Sequence, residues 1–329
     1  MKVCTQKPVY DIEKWIRHYT KELHSDELAE NTITLYSNLL GFLKTFVELS
    51  GISSIKEIDA EYLLRFLEWM EGRHAQKTGK ESFFYSNTTK MTYLVILRTF
   101  FDYIEAKAEY EEDGSRFTFA YEFKEITKKR GRKAKKKKGI KHLTYDEVDR
   151  LVSYLDTQIE FRGKHYDYIH SLAVKLMLYG GLRVSECVSL LFSDLNIYYS
   201  KEGEKLIEIR LAETKSGDVQ YVPMKFSHIE KEYQYLLDNR IGRDDYIISN
   251  KRFDAPIDRS NLFKKVNKIY ILAGIEKEGL HILRHTSAMM LLDKVGDITY
   301  VKELLRHANI ATTMVYVHRS VKQLGERVV

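Results

Sequence analysis

A chain of 329 residues exceeds what one hydrophobic core usually holds, so two domains are expected, and a hydrophobic content of 44% suits a folded soluble protein. No apolar run approaches the ~18 residues that a membrane span needs, and the start, MKVCTQKPVYDIEKW, lacks the apolar core of a secretory signal. Two distant cysteines, Cys4 and Cys187, argue against a disulfide framework and a Cys-based zinc site and favour a reducing cytoplasm, while a net charge of +6 excludes little by itself.

The first elements are helical. Val9, Ile12, Ile16, Tyr19 and Leu23 recur at helical spacing, as do Tyr36, Leu39, Leu40, Leu43, Phe46 and Val47, with Gly51 closing that helix. Asp59 is placed to cap a third helix, whose stripe is Tyr62, Leu63, Phe66, Leu67 and Met70. A fourth runs from about Thr88 through Leu94, Leu97, Phe101 and Ile104. These stripes read as core, and nothing among them looks catalytic. The first domain is therefore a helical bundle over residues 1–125.

A basic linker follows over residues 126–142. Lys128, Lys129, Arg130, Arg132, Lys133, Lys135, Lys136, Lys137, Lys138 and Lys141 are ten bases without one acid. Removing those ten from the 53 of the chain leaves 43 against 47 acids, so this segment carries the whole basic excess. A solvated linker fits it, and so does a strap that neutralises the phosphates of nucleic acid.

The second domain spans residues 143–329. Thr144 with Glu147 forms a capping box at the start of a helix. The apolar helix YIHSLAVKLMLYGG ends at Gly180 and Gly181, and RVSECVSLL begins another helix at once. LIEIRLAETKSGDVQYVPM alternates like two strands around a Lys-Ser-Gly-Asp turn. Helices follow in HIEKEYQYLLDN, RSNLFKKVNKIYILAG, HILRHTSAMMLLDKV, ITYVKELLRH and ATTMVYVHRSVKQL. The expected fold is mostly α with one small antiparallel sheet.

Four local patterns carry groups able to do chemistry. In GGLRVSE, Arg183 and Glu186 are three apart and share a helical face, which would hold a guanidinium rigid between a phosphate and a carboxylate; a plain surface ion pair fits as well. In HILRH, His281 and Arg284 share a face and could grip one phosphate, with His285 pointing elsewhere as a supporting donor; a polar helix face is the plainer reading. Lys215 sits in the strand turn, where a lysine is usually just solvated. His307 precedes Tyr316 by nine residues in LLRHANIATTMVYVH, and a tyrosine in such a run is usually core.

Taken together, the order Arg, hairpin Lys, His-x-x-Arg, His, Tyr resembles the tyrosine recombinase or phage integrase family across residues 143–320. GGLRVSE resembles its first arginine box, HILRHTSA the second, and LLRHANIATTMVYVH the third. The N-terminal helices resemble the family's core-binding, SAM-like DNA-binding domain by length and helix count. The lean plan, without a long arm-binding domain, resembles Xer enzymes more than lambda integrase. Departures exist. Arg306 stands where the family usually has glycine, Ser287 and Met289 where Phe and Thr are frequent, and Gly180 where Thr or Ser is common. They leave the subfamily and the biological role open, whether chromosome segregation or DNA integration by a phage or mobile element.

The resemblance implies DNA cleavage and rejoining through a covalent 3′-phosphotyrosine at Tyr316. Arg183 and Arg284 would hold the non-bridging oxygens, with His307 donating to them. His281 would assist proton transfer at the tyrosine, Lys215 would protonate the departing 5′ oxygen, and Glu186 would brace the site. These cations leave no need for a metal, and the chemistry needs no cofactor. The implied partner is double-stranded DNA, bound by a homotetramer on two sites. The end of the chain, VHRSVKQLGERVV, would pack either on its own domain or on a neighbouring protomer. A type IB topoisomerase shares most of this constellation but usually has lysine at the position of His281. A silent DNA-binding protein would lack one of these groups, and none is missing.

Overall fold

The computed structural model describes residues 12–25, 28, 30–52, 57–107, 141–211, 219–306 and 313. The chain forms two compact units, residues 1–136 and 137–329.

The first unit holds α1 (Ile12–Ser25), α2 (Glu30–Ser50), α3 (Ala60–Thr78) and α4 (Asn87–Lys107). The apolar stripes of the sequence are their buried faces, with Leu40, Leu43, Phe66, Leu97, Phe100 and Ile104 wholly inaccessible. Burying one such large side chain stabilises by roughly 1.5–3 kcal/mol. Phe46 packs its ring against Tyr62, Phe66 and Trp69 at centroid distances of 5.0, 5.6 and 5.4 Å, joining α2 to α3. Asp59 caps α3 as expected, its Oδ1 accepting from the Tyr62 N–H at 2.7 Å. Gly51, with φ +68°, follows the last residue of α2. Val9, read as part of the first helix, lies outside the described residues.

The second unit contains α5 (Tyr145–Arg162), α6 (His165–Tyr179), α7 (Val184–Val188), β1 (Leu195–Tyr199), β2 (Lys205–Leu211), β3 (Gln220–Lys225), α8 (Glu230–Asp238), α9 (Arg259–Leu272), α10 (His281–Val295) and α11 (Ile298–Leu305). The Thr144 capping box is present in both directions: the Glu147 N–H donates to Thr144 Oγ1, and the Thr144 N–H to Glu147 Oε2. Helix α6 runs through the middle, packed by α5, α7, α8, α9 and α10. A helix buried on so many sides must neutralise its polar groups internally. Lys175 Nζ accordingly donates to Asp156 Oδ1 and Glu232 Oε1, both at 2.7 Å, and the Ser171 hydroxyl donates to the same Glu232 oxygen.

The sheet has three antiparallel strands in the order β1-β2-β3, one more than the sequence pattern suggests. β2 and β3 are the expected pair, with Ile207 opposite Met224 and Ile209 opposite Val222 on the buried face. β1 escaped notice because it is a five-residue edge strand in which no side chain is fully buried, so its alternation of apolar and polar residues is faint. A second correction concerns RVSECVSLL. Helix α7 spans only five residues and stops before the two leucines. Their backbone is taken by other partners: the Leu190 carbonyl accepts from the Ile247 N–H at 3.1 Å, and Leu191 forms a bridge with Tyr246. Tertiary backbone pairing outweighs helix propensity there. Among the described residues, no helix is long and apolar enough to cross a membrane.

Candidate active site around Glu186

The end of α6 prepares the site. Gly180 caps the helix, and a Cβ on it would lie 2.6 Å from Leu182 Cδ1 and 2.8 Å from the Leu176 carbonyl oxygen, so a larger residue would force this turn to shift. Gly181 has φ +60°, a left-handed conformation natural to glycine. A Cβ there would come within 3.2 Å of Ser287 Oγ on α10 and 3.3 Å of Leu305 Cδ2 on α11. Bare backbone at Gly181 and a small side chain at Ser287 thus let the ends of α6 and α11 approach the middle of α10.

Arg183 immediately precedes α7 and is bound twice by Glu186. Its backbone N–H donates to Glu186 Oε2 at 2.7 Å, and its guanidinium Nη1 to Oε1 at 2.6 Å. About a third of the Arg183 side chain stays exposed, so it is open to a ligand from solvent. Arg284 enters from α10 and is buried. Its Nη1 donates to the Gly181 carbonyl at 2.5 Å, its Nη2 donates to the Leu305 carbonyl, and its Nη1 lies 3.8 Å from Glu186 Oε2. The structure thus brings together Arg183, Glu186 and Arg284 across about a hundred residues of sequence.

A third guanidinium joins them that sequence reasoning did not place here. Arg306 follows the last residue of α11 with φ +53°, a left-handed conformation that favours glycine. A left-handed backbone costs an L-residue roughly 1–2 kcal/mol. The side chain is 5% exposed, with Nη2 donating to Glu186 Oε2 at 2.6 Å and Nη1 to the Leu304 carbonyl at 2.7 Å. The only sequence signal was the unusual residue beside His307; the direction of the side chain follows from the backbone turn, which no local pattern encodes.

Three guanidiniums against one carboxylate leave a positive surplus. Burial alone would raise the pKa of Glu186, but Arg306, the Arg183 N–H and the Arg183 guanidinium outweigh it and hold the carboxyl below its ordinary value of 4.5. Burial draws the Arg306 guanidinium down, opposed by Glu186; an arginine remains charged regardless. Among the described residues the guanidiniums outnumber the carboxylate three to one, an excess that suits an oxyanion such as a phosphodiester.

The other expected residues divide into two groups. His281 is the first residue of α10 and is exposed, whereas Arg284 is buried, so their shared helical face does not give them equal access to solvent. His285 is half-buried, and burial, followed by the charges of His281, Arg284 and His142, lowers its pKa to about 4, leaving a neutral imidazole at pH 7. Lys141 is exposed at the start of the second unit. Lys215, His307, Tyr316 and the bases of the linker from Lys128 to Lys138 lie outside the described residues. Among the described residues, no cluster of three His, Cys, Asp or Glu side chains is placed to hold a metal ion.

These features belong to a recognised class. Residues 141–323 match the phage integrase family, and residues 11–110 match the phage integrase SAM-like domain. The chain is a member of the phage integrase, or tyrosine recombinase, family. Among its relatives, tyrosine recombinase XerH of Campylobacter jejuni is 26% identical over 288 residues, 87% of this chain and 74% of that protein. Transposase A from transposon Tn554 of Staphylococcus aureus is 27% identical, covering 94% of this chain and 89% of its own length. The crystal structure of XerH bound to palindromic difH substrate, a post-cleavage complex, superposes with a TM-score of 0.71 at 21% identity, covering 98% of this chain and 96% of that one, and so shares the fold.

Proposed function

We propose that this protein is a site-specific recombinase that cuts and rejoins duplex DNA through a covalent bond between Tyr316 and a 3′ phosphate. The observation that carries this reading is the convergence of Arg183 and Arg284 on Glu186, a cationic site formed by family-matched segments with positive charge to spare. A free tyrosine has a pKa of about 10, so at neutral pH only about one in a thousand is phenolate. The nucleophile must gain its reactivity from its surroundings.

In the proposed step the Tyr316 oxygen attacks phosphorus while the bond to the 5′ oxygen breaks. Arg183 and Arg284 carry the negative charge that builds on the non-bridging oxygens, and His307 donates to the same oxygens. His281, exposed at the start of α10, takes part in the proton transfer from tyrosine. Lys215, in the connection between β2 and β3, gives a proton to the leaving 5′ oxygen. Glu186 braces the arginines, and His285 supports α10 as a neutral donor. A second 5′ hydroxyl then attacks the phosphotyrosine and restores the phosphodiester, so neither nucleotide nor metal is consumed or needed.

The helical unit serves as a core-binding DNA-binding domain (residues 1–125), the basic linker (126–142) crosses the duplex, and residues 143–329 carry the chemistry. The functional assembly is a homotetramer on two DNA sites. Support comes from the solved complex of a lambda integrase tetramer bound to a Holliday junction, which shares this fold with a TM-score of 0.59 at 16% identity. The setting proposed is the cytoplasm, in keeping with a free, buried Cys187. The biological role proposed is chromosome maintenance or movement of a mobile element, a reading supported by relatives named as a Xer recombinase and as a transposase.

The test is Tyr316→Phe, which keeps the ring and removes the nucleophilic oxygen. The variant is expected to bind DNA like the wild type and to form no denaturant-stable protein–DNA adduct. An adduct at wild-type yield would show that the nucleophile lies elsewhere.

A further inference from the structure

Arg306 combines features that a merely solvated or filling residue has no reason to show together. It holds a left-handed conformation that disfavours side chains, it is almost completely buried, and it directs its guanidinium onto the carboxylate that also binds Arg183. Its Nε is buried and finds no hydrogen-bond partner among the described residues. Because the side chain is 5% exposed, it does not itself reach a DNA phosphate in this arrangement.

The competition for Glu186 Oε2 gives Arg306 its significance. That oxygen accepts from the Arg183 N–H at 2.7 Å and from Arg306 Nη2 at 2.6 Å, while Arg284 Nη1 stays at 3.8 Å, beyond hydrogen-bond reach. With Arg306 absent, Glu186 Oε2 would lose one of its two close donors and the carboxylate would be less firmly held. The Arg183 guanidinium, a third exposed, takes its orientation from the other oxygen of that carboxylate, so a Glu186 free to swing would let Arg183 swing with it. Arg306 also fixes the backbone at the residue just before His307.

We propose that Arg306 is a positioning residue for strand cleavage: by occupying Glu186 Oε2 it fixes the carboxylate that holds the part-exposed Arg183 guanidinium toward the scissile phosphate. This rests on the recombinase reading above. It also makes the departure from glycine at this position a gain in site rigidity rather than a neutral change.

The experiment uses the full-length chain and a duplex that the wild type selects from a random-sequence pool, prepared with a nick beside the scissile phosphate so that the adduct is trapped. Single-turnover adduct formation, DNA half-saturation and thermal melting are measured for Arg306→Gly, Arg306→Lys, Glu186→Gln and the Arg306→Gly, Glu186→Gln pair. A displaced positioning group can cost up to about 100-fold in rate, and Arg306→Gly is expected to slow cleavage by about 10- to 100-fold while half-saturation stays unchanged and the protein remains folded at the assay temperature. Arg306→Lys, with charge but only one donor head, should recover part of the rate. The pair should cleave no more slowly than Glu186→Gln alone, because the two residues act through one bond. Wild-type cleavage by Arg306→Gly, fully additive losses in the pair, or a rate loss that merely follows lost binding or melting would overturn the proposal. A wild-type chain that forms no adduct at all would instead bring down the recombinase reading on which it rests.

Discussion

Replacing Glu186 by Gln removes one negative charge without changing the shape of the side chain, and it does so where the charge is most needed. Arg284 and Arg306 are about 5% exposed, and Glu186 itself is 13% exposed. Removing one partner of a buried ion pair typically costs 3–5 kcal/mol, because the other charge stays buried. Since Gln keeps an acceptor for one guanidinium, we take the low end, about 3 kcal/mol. For a unit of this size each kcal/mol moves the melting temperature by roughly 2–4 °C, so Glu186→Gln should melt about 6–12 °C below the wild type at pH 7. The pH dependence has a definite sign. The folded pKa of Glu186 is depressed below 4.5, so its contribution is complete above that value and is lost as pH falls through the folded pKa. The gap between wild type and variant should therefore close on acidification below 4.5, the wild type losing more. Calorimetry of both proteins from neutral to acid pH reads this directly. Equal melting temperatures at pH 7, or a gap that persists unchanged in acid, would refute the view that the carboxylate compensates the arginine cluster.

Two further outcomes follow from the proposed chemistry. Lys215→Ala should cleave ordinary DNA slowly and recover on a substrate whose 5′ bridging oxygen is replaced by sulfur, a leaving group that needs no proton; equal defects on both substrates would remove Lys215 from the acid role. Neutralising Lys133, Lys135, Lys136, Lys137 and Lys138 should weaken DNA binding with little change in site preference and flatten the slope of log K against log salt by about 0.9 per lost phosphate contact; an unchanged slope in a filter-binding titration would make the segment a plain linker.

Much of the architecture was legible because it rests on local rules. The stripes that contain Leu43, Phe66 and Leu97 are periodic, and periodicity reports which face is buried. Asp59 and Thr144 announced helix starts through hydrogen bonds that span only three residues. The misses are tertiary in origin. Leu190 and Leu191 have good helix propensity, yet their backbone pairs with Ile247 and Tyr246, fifty-odd residues away in sequence. At the site, the spacing of Arg183 and Glu186 was sufficient to foresee their pairing, since both belong to one turn. The part played by Arg306 was not foreseeable. It depends on a positive φ at one residue and on a carboxylate 120 residues earlier.

The bonds of Arg284 explain why such distant segments must act as one. Its two terminal nitrogens donate to carbonyls at Gly181, just past the end of α6, and at Leu305, the last residue of α11. Carbonyls at helix C-termini lack intrahelical donors and carry the negative end of the helix dipole, so a buried guanidinium satisfies them and is stabilised in return. Each partner is thus costly to leave alone: the carbonyls would be buried acceptors without these donors, and the arginine would be a buried cation deprived of two acceptors, with the Glu186 carboxylate 3.8 Å away. This mutual need ties the end of α11 to the box that holds Arg183. His307 is the second residue after Leu305, so whatever places α11 also sets the starting point of the segment that carries His307 and Tyr316. An arginine that closes helix ends and that the proposed chemistry also assigns to the phosphate would couple correct folding of the domain to competence of the site, so that a defect in either is felt in both.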